Sequence, residues 1–323
     1  MTISINQTKA ITHDLVLKAL ADNVYQSAAG LRRFYAKRVK VDGGNDIGGP
    51  IIIGGLTSAS GGWYSGASAL TDSELEDMTR AKVDWKQVYE TIVLSNLDIL
   101  KNGGSAQVLS LVASKIKIAE KRLKARLSAG IFSDGTDSLV FDGLGLIIGT
   151  SAYAGLSASD FDDEAGSDAW QAQVLANSGT ARALSGSLIQ RAMGQATEDE
   201  DKPTVSFMKQ NVFNELWSIL EPHQRLMVEN EDLSGLGHDQ NKKVLKYNGI
   251  PFLVDSHMEA ACMYFVNEDY AKLYVHKLED MKAQSFDKLE GQNAIKERML
   301  LTGNLFCNNR RYQAKLDDIN VAS

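Results

Sequence analysis

The 323-residue sequence has two cysteines, four prolines and five histidines, and each scarcity removes a class of function. Cys262 and Cys307 have neither the spacing of a metal or redox motif nor the number needed for a disulfide framework. They read as two buried small hydrophobes in a reducing compartment. His13, His223, His238, His257 and His276 are scattered, and none forms the HxxxH or HExxH pair that would put two ligands on one helix face. His257 and Glu259 would share a face of one strand, where a surface pair is commoner than a ligand pair. No GxSxG elbow occurs, and Ser65 in WYSG resembles one only superficially. No run approaches eighteen apolar residues, and MTISINQTKAITHDLV lacks the basic start and apolar core of a secretory leader. The expectation is synthesis in the cytoplasm with no membrane partner. Basic residues are also in the minority, 34 Lys plus Arg against 41 Asp plus Glu, for a net charge of −7. That balance argues against a tight, sequence-independent nucleic-acid binder.

Two near misses complete the search for chemistry. Gly143, Gly145 and Gly149 give GxGxxxG, one residue off the dinucleotide fingerprint and without its strand–helix context. Asp160, Asp162 and Glu164 alternate as calcium ligands would, but Gly166 falls one place too late for the turn. A solvated helix N-terminus suits those acids better. No catalytic, cofactor or metal constellation emerges, so the expectation is a protein that is not an enzyme.

What the sequence does have is GGPIIIGGLTSASGGWYSGASAL, residues 48–70, with seven glycines and no charge. Ile51, Ile52, Ile53, Trp63 and Tyr64 are too apolar for a disordered linker, and the paired glycines are wrong for a core strand. A long hairpin-like arm that completes its packing on another molecule reconciles the two. Before it, residues 11–29 have helical spacing with Gly30 as the stop. LRRFYAKRVKV, 31–41, then carries five basic residues and no acid. Those residues suit nucleic acid, or the acidic loop Glu198–Asp201 of a neighbouring copy, or a solvated face. After the glycine-rich stretch, TDSELEDMTR reads as a short helix capped by Thr71 or Asp72, and residues 81–95 read as a long return strand.

The strongest periodicity follows. Ser105 is a good N-cap, and Val108, Leu111, Val112, Ile116, Ala119, Leu123 and Leu127 recur at helical steps up to Gly130. The other face carries Lys115, Lys117, Lys121, Arg122, Lys124 and Arg126 against Glu120 alone. Beyond Val140 the sequence reads as shorter pieces: a helix near 168–194, the helix QNVFNELWSIL stopped by Pro222, and a hairpin KKVLKYNGIPFLVD turning at Asn248-Gly249. Two short strands in ACMYFVNEDYAKLYVH and a long strand in AIKERMLLTGNLFCNNRRYQAKLDDI close the chain. The class is α+β.

This succession, more than any one motif, resembles the major capsid protein of tailed bacteriophages, the HK97 fold. The hairpin 41–95 resembles the extended loop, and 105–130 the spine helix ending in AGIFSDG. YNGIPFLVD resembles the axial-domain strand, MYFVNEDYAKLYVH the strand pair after it, and RMLLTGNLFCNNRRYQAKLDDI the last strand of the peripheral domain. FVNEDY departs from the Phe-Gly-Asp often found there. The resemblance implies an N-terminal arm at 1–40, an extended loop at 41–95, a peripheral domain from 96–140 and 288–323, and an axial domain at 141–287. It implies a structural subunit, self-assembled as hexamers and pentamers into a virion capsid in the bacterial host cytoplasm. A separate scaffolding protein, a portal and a decoration protein are implied partners. Inter-subunit contact falls to Ile51, Ile52, Ile53, Trp63 and Tyr64, while the spine-helix Lys and Arg residues face scaffold or packaged DNA. Some members of the family join a loop lysine to an asparagine of a neighbour. Here Asn308 and Asn309 offer an acceptor, but no lysine lies between Lys40 and Lys82, so the implied shell is non-covalent. Encapsulins, compartments that enclose a cargo enzyme, use the same fold and are the alternative.

Overall fold

A computed structural model describes residues 28–53, 63–67, 78–101, 111–161, 170–198, 200–220, 228–230, 243–283, 287–289 and 291–321. Its backbone is organised by one long strand, β14 (Ala294–Cys307). On one side β14 pairs antiparallel with β4 (Lys86–Ser95), in unbroken register from Lys86↔Gly303 to Ser95↔Ala294. On the other side its C-terminal half pairs with β11 (Ala271–His276), and its N-terminal half with the short β12 (Lys282–Ala283) and β13 (Asp287–Lys288). β1 (Val39–Val41) adds in parallel to β11 and completes a six-stranded sheet.

The second sheet has seven strands, in the order β5 (Gln173–Leu175), β15 (Ala314–Leu316), β10 (Met263–Val266), β6 (Val205–Met208), β9 (Ile250–Val254), β8 (Lys243–Tyr247), β7 (Val228–Asn230). β6 and β10 are buried at every residue. The reason is alternation: Val205, Phe207, Tyr264 and Val266 enter one hydrophobic cluster, while Met208, Met263 and Phe265 enter the other. A sheet covered on both faces reads as a continuous apolar run. At the β8–β9 hairpin Asn248 (φ 50°) and Gly249 (φ 79°) both take positive φ, the left-handed pair of a type I′ turn.

The helices cover these sheets. The first, α1 (Ala29–Ala36), stacks Phe34 on Phe207 at 6.2 Å between ring centroids. After β4 comes a short α2 (Asn96–Lys101), then α3 (Leu111–Ile131), which buries Ala119, Leu123, Leu127 and Ile131. α4 (Leu144–Ile147) is a single turn, and α5 (Gly186–Gln195) and α6 (Gln210–Leu220) bury Ile189, Met193, Val212 and Leu216 against the second sheet's far face.

Several expectations are corrected. Gly30 does not stop a helix but opens α1. A Cβ there would lie 2.7 Å from the Phe132 ring, so the glycine permits close approach. The return strand 81–95 is two strands, β3 (Met78–Val83) and β4, broken at Asp84-Trp85, and β3 takes the last residues of the expected helix in TDSELEDMTR. Much of 168–194 is the strand β5 and loop, with the helix only from Gly186. The two short strands expected in MYFVNEDYAKLYVH are both present, and they lie in different sheets, β10 in the seven-stranded one and β11 in the six-stranded one. His257 and Glu259 lie in a turn, where His257 meets Asp255 and Glu259 meets Tyr264 and Lys315. Residues 11–27 of the helix expected at 11–29 and the caps Ser105, Thr71 and Asp72 lie outside the described residues, as do Asp162, Glu164 and Pro222.

Candidate assembly surfaces

Above the six-stranded sheet stands an antiparallel hairpin of β2 (Ile47–Ile52) and β3, in register from Ile47↔Val83 to Ile52↔Met78. Strand alternation divides its isoleucines. Ile47 and Ile51 point inward and join the larger core cluster, whereas Ile52 points out and is 71% exposed. Ile51 is therefore withdrawn from the exposed apolar set, because its own chain already buries it. Ile53 is half-buried. Towards the tip, Trp63 is fully exposed and Tyr64 is 68% exposed, so both present their rings to solvent. Gly48 has a structural reason in this hairpin: a Cβ would sit 2.3 Å from the Ala81 carbonyl oxygen across the ladder.

The helix face with the lysines and arginines is solvent-facing at Lys117, Arg122 and Arg126, and half-buried at Lys115, Lys121 and Lys124. Two of its members have a partner in the sheet beneath. Arg126 Nε lies 3.2 Å and Arg122 Nη1 3.6 Å from the carboxylate of Glu90, a nearly buried residue of β4. Nearby Glu297 of β14 is also buried and is pushed above the usual carboxylate range by desolvation.

In the basic segment 31–41, four of the five cations meet carboxylates of the same chain. Arg33 and Lys37 donate to Glu268 at 2.6 and 2.8 Å, and Arg38 and Lys40 reach Asp280 at 2.9 Å. Tyr35 donates to the same Asp280 at 2.5 Å. Burial pushes the Glu268 and Asp280 carboxyls up, but the bonds from these cations and from Tyr35 outweigh it and hold both below their ordinary values. A third acid, Asp255, accepts the backbone N–H of Gly30 at 2.9 Å and that of His257 at 3.0 Å, and burial moves it upward. Sequence reasoning missed all three anchors. Glu268 and Asp280 sit in polar turns after β10 and β11, where nothing in composition marks a buried acid.

The glycines of FDGLGLIIG serve packing. A Cβ on Gly143 would meet Ser133 backbone at 2.5 Å, and one on Gly145 would meet it at 2.8 Å, so the loop can close only on glycine. Among the described residues no group of three His, Cys, Asp or Glu side chains could hold a metal, and no helix is long and apolar enough to cross a membrane. Cys262 and Cys307 are buried free thiols, with Cys307 pushed up to about 12 by desolvation, so neither is poised as a nucleophile. Asn309 lies just past β14, its side chain accepting the Arg311 N–H at 3.0 Å.

No protein-family model and no curated protein matches the sequence. Solved structures match it along its whole length. The chain is similar to a subunit of the cyanophage A-1(L) capsid, at 16% identity and a TM-score of 0.73, over 97% of this chain and 99% of that one. It is also similar to the capsid of a native GTA particle, at 14% identity and a TM-score of 0.62, over 95% of each chain. The shell of an encapsulin complex from Synechococcus elongatus aligns at 8% identity and a TM-score of 0.59, over 100% and 98%. On these near-complete structural matches, the protein has the α+β fold of HK97-type phage capsid subunits.

Proposed function

We propose that the chain is a major capsid subunit that assembles with copies of itself into an icosahedral shell enclosing phage double-stranded DNA. The observation that carries this reading is the near-complete, two-way overlap with a cyanophage capsid chain at a TM-score of 0.73. The exposed Ile52, Trp63 and Tyr64 on an otherwise glycine-rich hairpin support it, since apolar groups so placed mark an interaction surface. In this reading residues 1–40 are the N-terminal arm, 41–95 the extended loop, 96–140 with 288–323 the peripheral domain, and 141–287 the axial domain. The loop lies across the adjoining subunit of a hexamer or pentamer, with Ile52, Ile53, Trp63 and Tyr64 as its contacts. Burying such side chains contributes roughly 1.5–3 kcal/mol each before ordering costs.

The subunit's role is structural rather than enzymatic, and its place is the virion, after assembly in the host cytoplasm. A separate scaffolding protein, a portal and a decoration protein are its partners. The helix face of Lys115, Lys117, Lys121, Arg122, Lys124 and Arg126 meets scaffold or DNA, with Glu90 tempering its charge. Protein expressed with and without a scaffold should give closed particles by electron microscopy and light scattering. A monodisperse monomer under all conditions, including low salt and crowding, would overturn the proposal. The full-length overlap with an encapsulin shell favours the second reading, a compartment around a cargo enzyme. Nucleic acid inside purified particles supports the first, and a stoichiometric co-purifying protein cargo the second.

A further inference from the structure

Strand β4 has one edge on β14 and pairs with no other described strand. Antiparallel geometry turns the N–H and C=O of every second residue to that second edge. Proteins usually blunt a long edge with proline, a bulge or outward charge. KQVYETIVLS has no proline and keeps one unbroken register, and its only charged residues are Lys86 and Glu90. Glu90 faces inward to Arg122 and Arg126 and does not guard the edge. The opposite face leaves Tyr89 62% and Val93 44% exposed, each two positions from Thr91.

We propose that β4 pairs antiparallel with β4 of a second copy about a two-fold axis at Thr91, so that the six-stranded sheet continues from one subunit into the next. The register follows from facing. A two-fold normal to the sheet keeps inner and outer faces aligned only when paired positions have the same parity. Two such registers keep nearly the whole strand. The one centred on Glu90 sets this carboxylate directly against its own copy, and like charges directly opposite are destabilising. The one centred on Thr91 sets Tyr89 opposite Val93 twice and Thr91 opposite itself. Aromatic–β-branched and Thr–Thr pairs are both favourable across strands. On the inner face the same register sets Val88 opposite Leu94 and Glu90 opposite Ile92. The contact is isologous, as a two-fold requires, and both halves of the exposed pair are covered by it. It stands whether the assembly is a closed shell or a smaller oligomer.

The test uses Thr91→Cys in the full chain, assembled under the conditions found for the wild type. The native thiols are buried, so mild oxidation should give a reducible dimer reporting on position 91. Tyr89→Lys with Val93→Lys places like charges opposite each other twice and should abolish that dimer, while Tyr89→Lys with Val93→Glu places opposite charges there and should restore it. Both side chains are exposed, so the melting temperature of the unassembled subunit serves as the folding control. Absence of the Thr91→Cys dimer from assembled protein overturns the pairing, as does a dimer indifferent to Tyr89→Lys/Val93→Lys. Protection of β4 amides from hydrogen exchange on assembly, without the dimer, would place a different strand at the edge and also refute it. A dimer without shells would keep this inference and sink the capsid reading.

Discussion

Replacing Arg310 should cost more stability than any surface change in this protein. Its side chain is fully buried, yet among the described residues no carboxylate pairs with it. Instead the guanidinium donates to five carbonyls: Nε to Ile147 at 2.8 Å, Nη1 to Ser151 and Trp170 at 2.7 and 2.9 Å, and Nη2 to Leu146 and Gly149 at 3.1 and 2.6 Å. These satisfy all of its N–H donors. They also close the C-terminal end of α4 and hold Gly149, Ser151 and Trp170 against the segment after β14. Desolvation lowers its pKa, but the delocalised guanidinium stays charged there. Arg310→Lys keeps the charge but brings three donors to five acceptors. Gly149 still accepts the Ala172 N–H, so at least one buried carbonyl loses its partner. A stranded acceptor costs about 1–3 kcal/mol, and the charge sits off-centre in a cradle shaped for a planar fork. Arg310→Met removes the cation and strands up to four carbonyls, which puts the loss at about 3–5 kcal/mol, the range for breaking a buried charged network. Calorimetry or urea unfolding of the unassembled subunit reads the order wild type, Arg310→Lys, Arg310→Met. If Arg310→Lys melts with the wild type, or Arg310→Met is the more stable of the two variants, the carbonyl cradle is not what stabilises this region.

Other outcomes follow from the exposed and charged groups. Trp63→Ala and Ile52→Asp should leave subunit unfolding within about 0.5 kcal/mol of wild type, since both side chains face solvent, while particle yield collapses. Equal losses in melting and yield would place them in a core. Glu268, held low by Arg33 and Lys37, contributes stability that is present above the unfolded carboxylate value near about 4.3 and is lost as pH falls through its lower folded value. Glu268→Gln should therefore destabilise at neutral pH and flatten the acid limb of the stability curve, and an unchanged acid limb would remove Glu268 from the account. Particles boiled in detergent should run as one band near 35.2 kDa, because no lysine between Lys40 and Lys82 is there to form a covalent bond; a ladder that survives reducing agent would refute this.

Much of the architecture was legible because it depends on short-range patterns. The helical spacing of Ile116, Ala119, Leu123 and Leu127 fixed the long helix, and Asn248-Gly249 between apolar runs fixed a hairpin, since few other residues accept two positive φ angles. Glycine and isoleucine crowded into 48–53 marked an unusual hairpin for the same local reason. Which side of that hairpin each residue takes is a matter of register. Ile51 went into the core and Ile52 to solvent only when β2 paired with β3 and folded over β14. The basic run 31–41 could be seen as a run, but its partners Glu268 and Asp280 lie more than 200 residues away, and Coulomb attraction leaves no trace in local sequence. The same holds for Arg310, indistinguishable in NNRRYQ from its neighbour Arg311, which pairs with Glu198 nearer the surface. Periodicity and turn chemistry are written in neighbouring residues. Partner choice, register and burial are set by which distant segments meet, and the tertiary structure alone decided those.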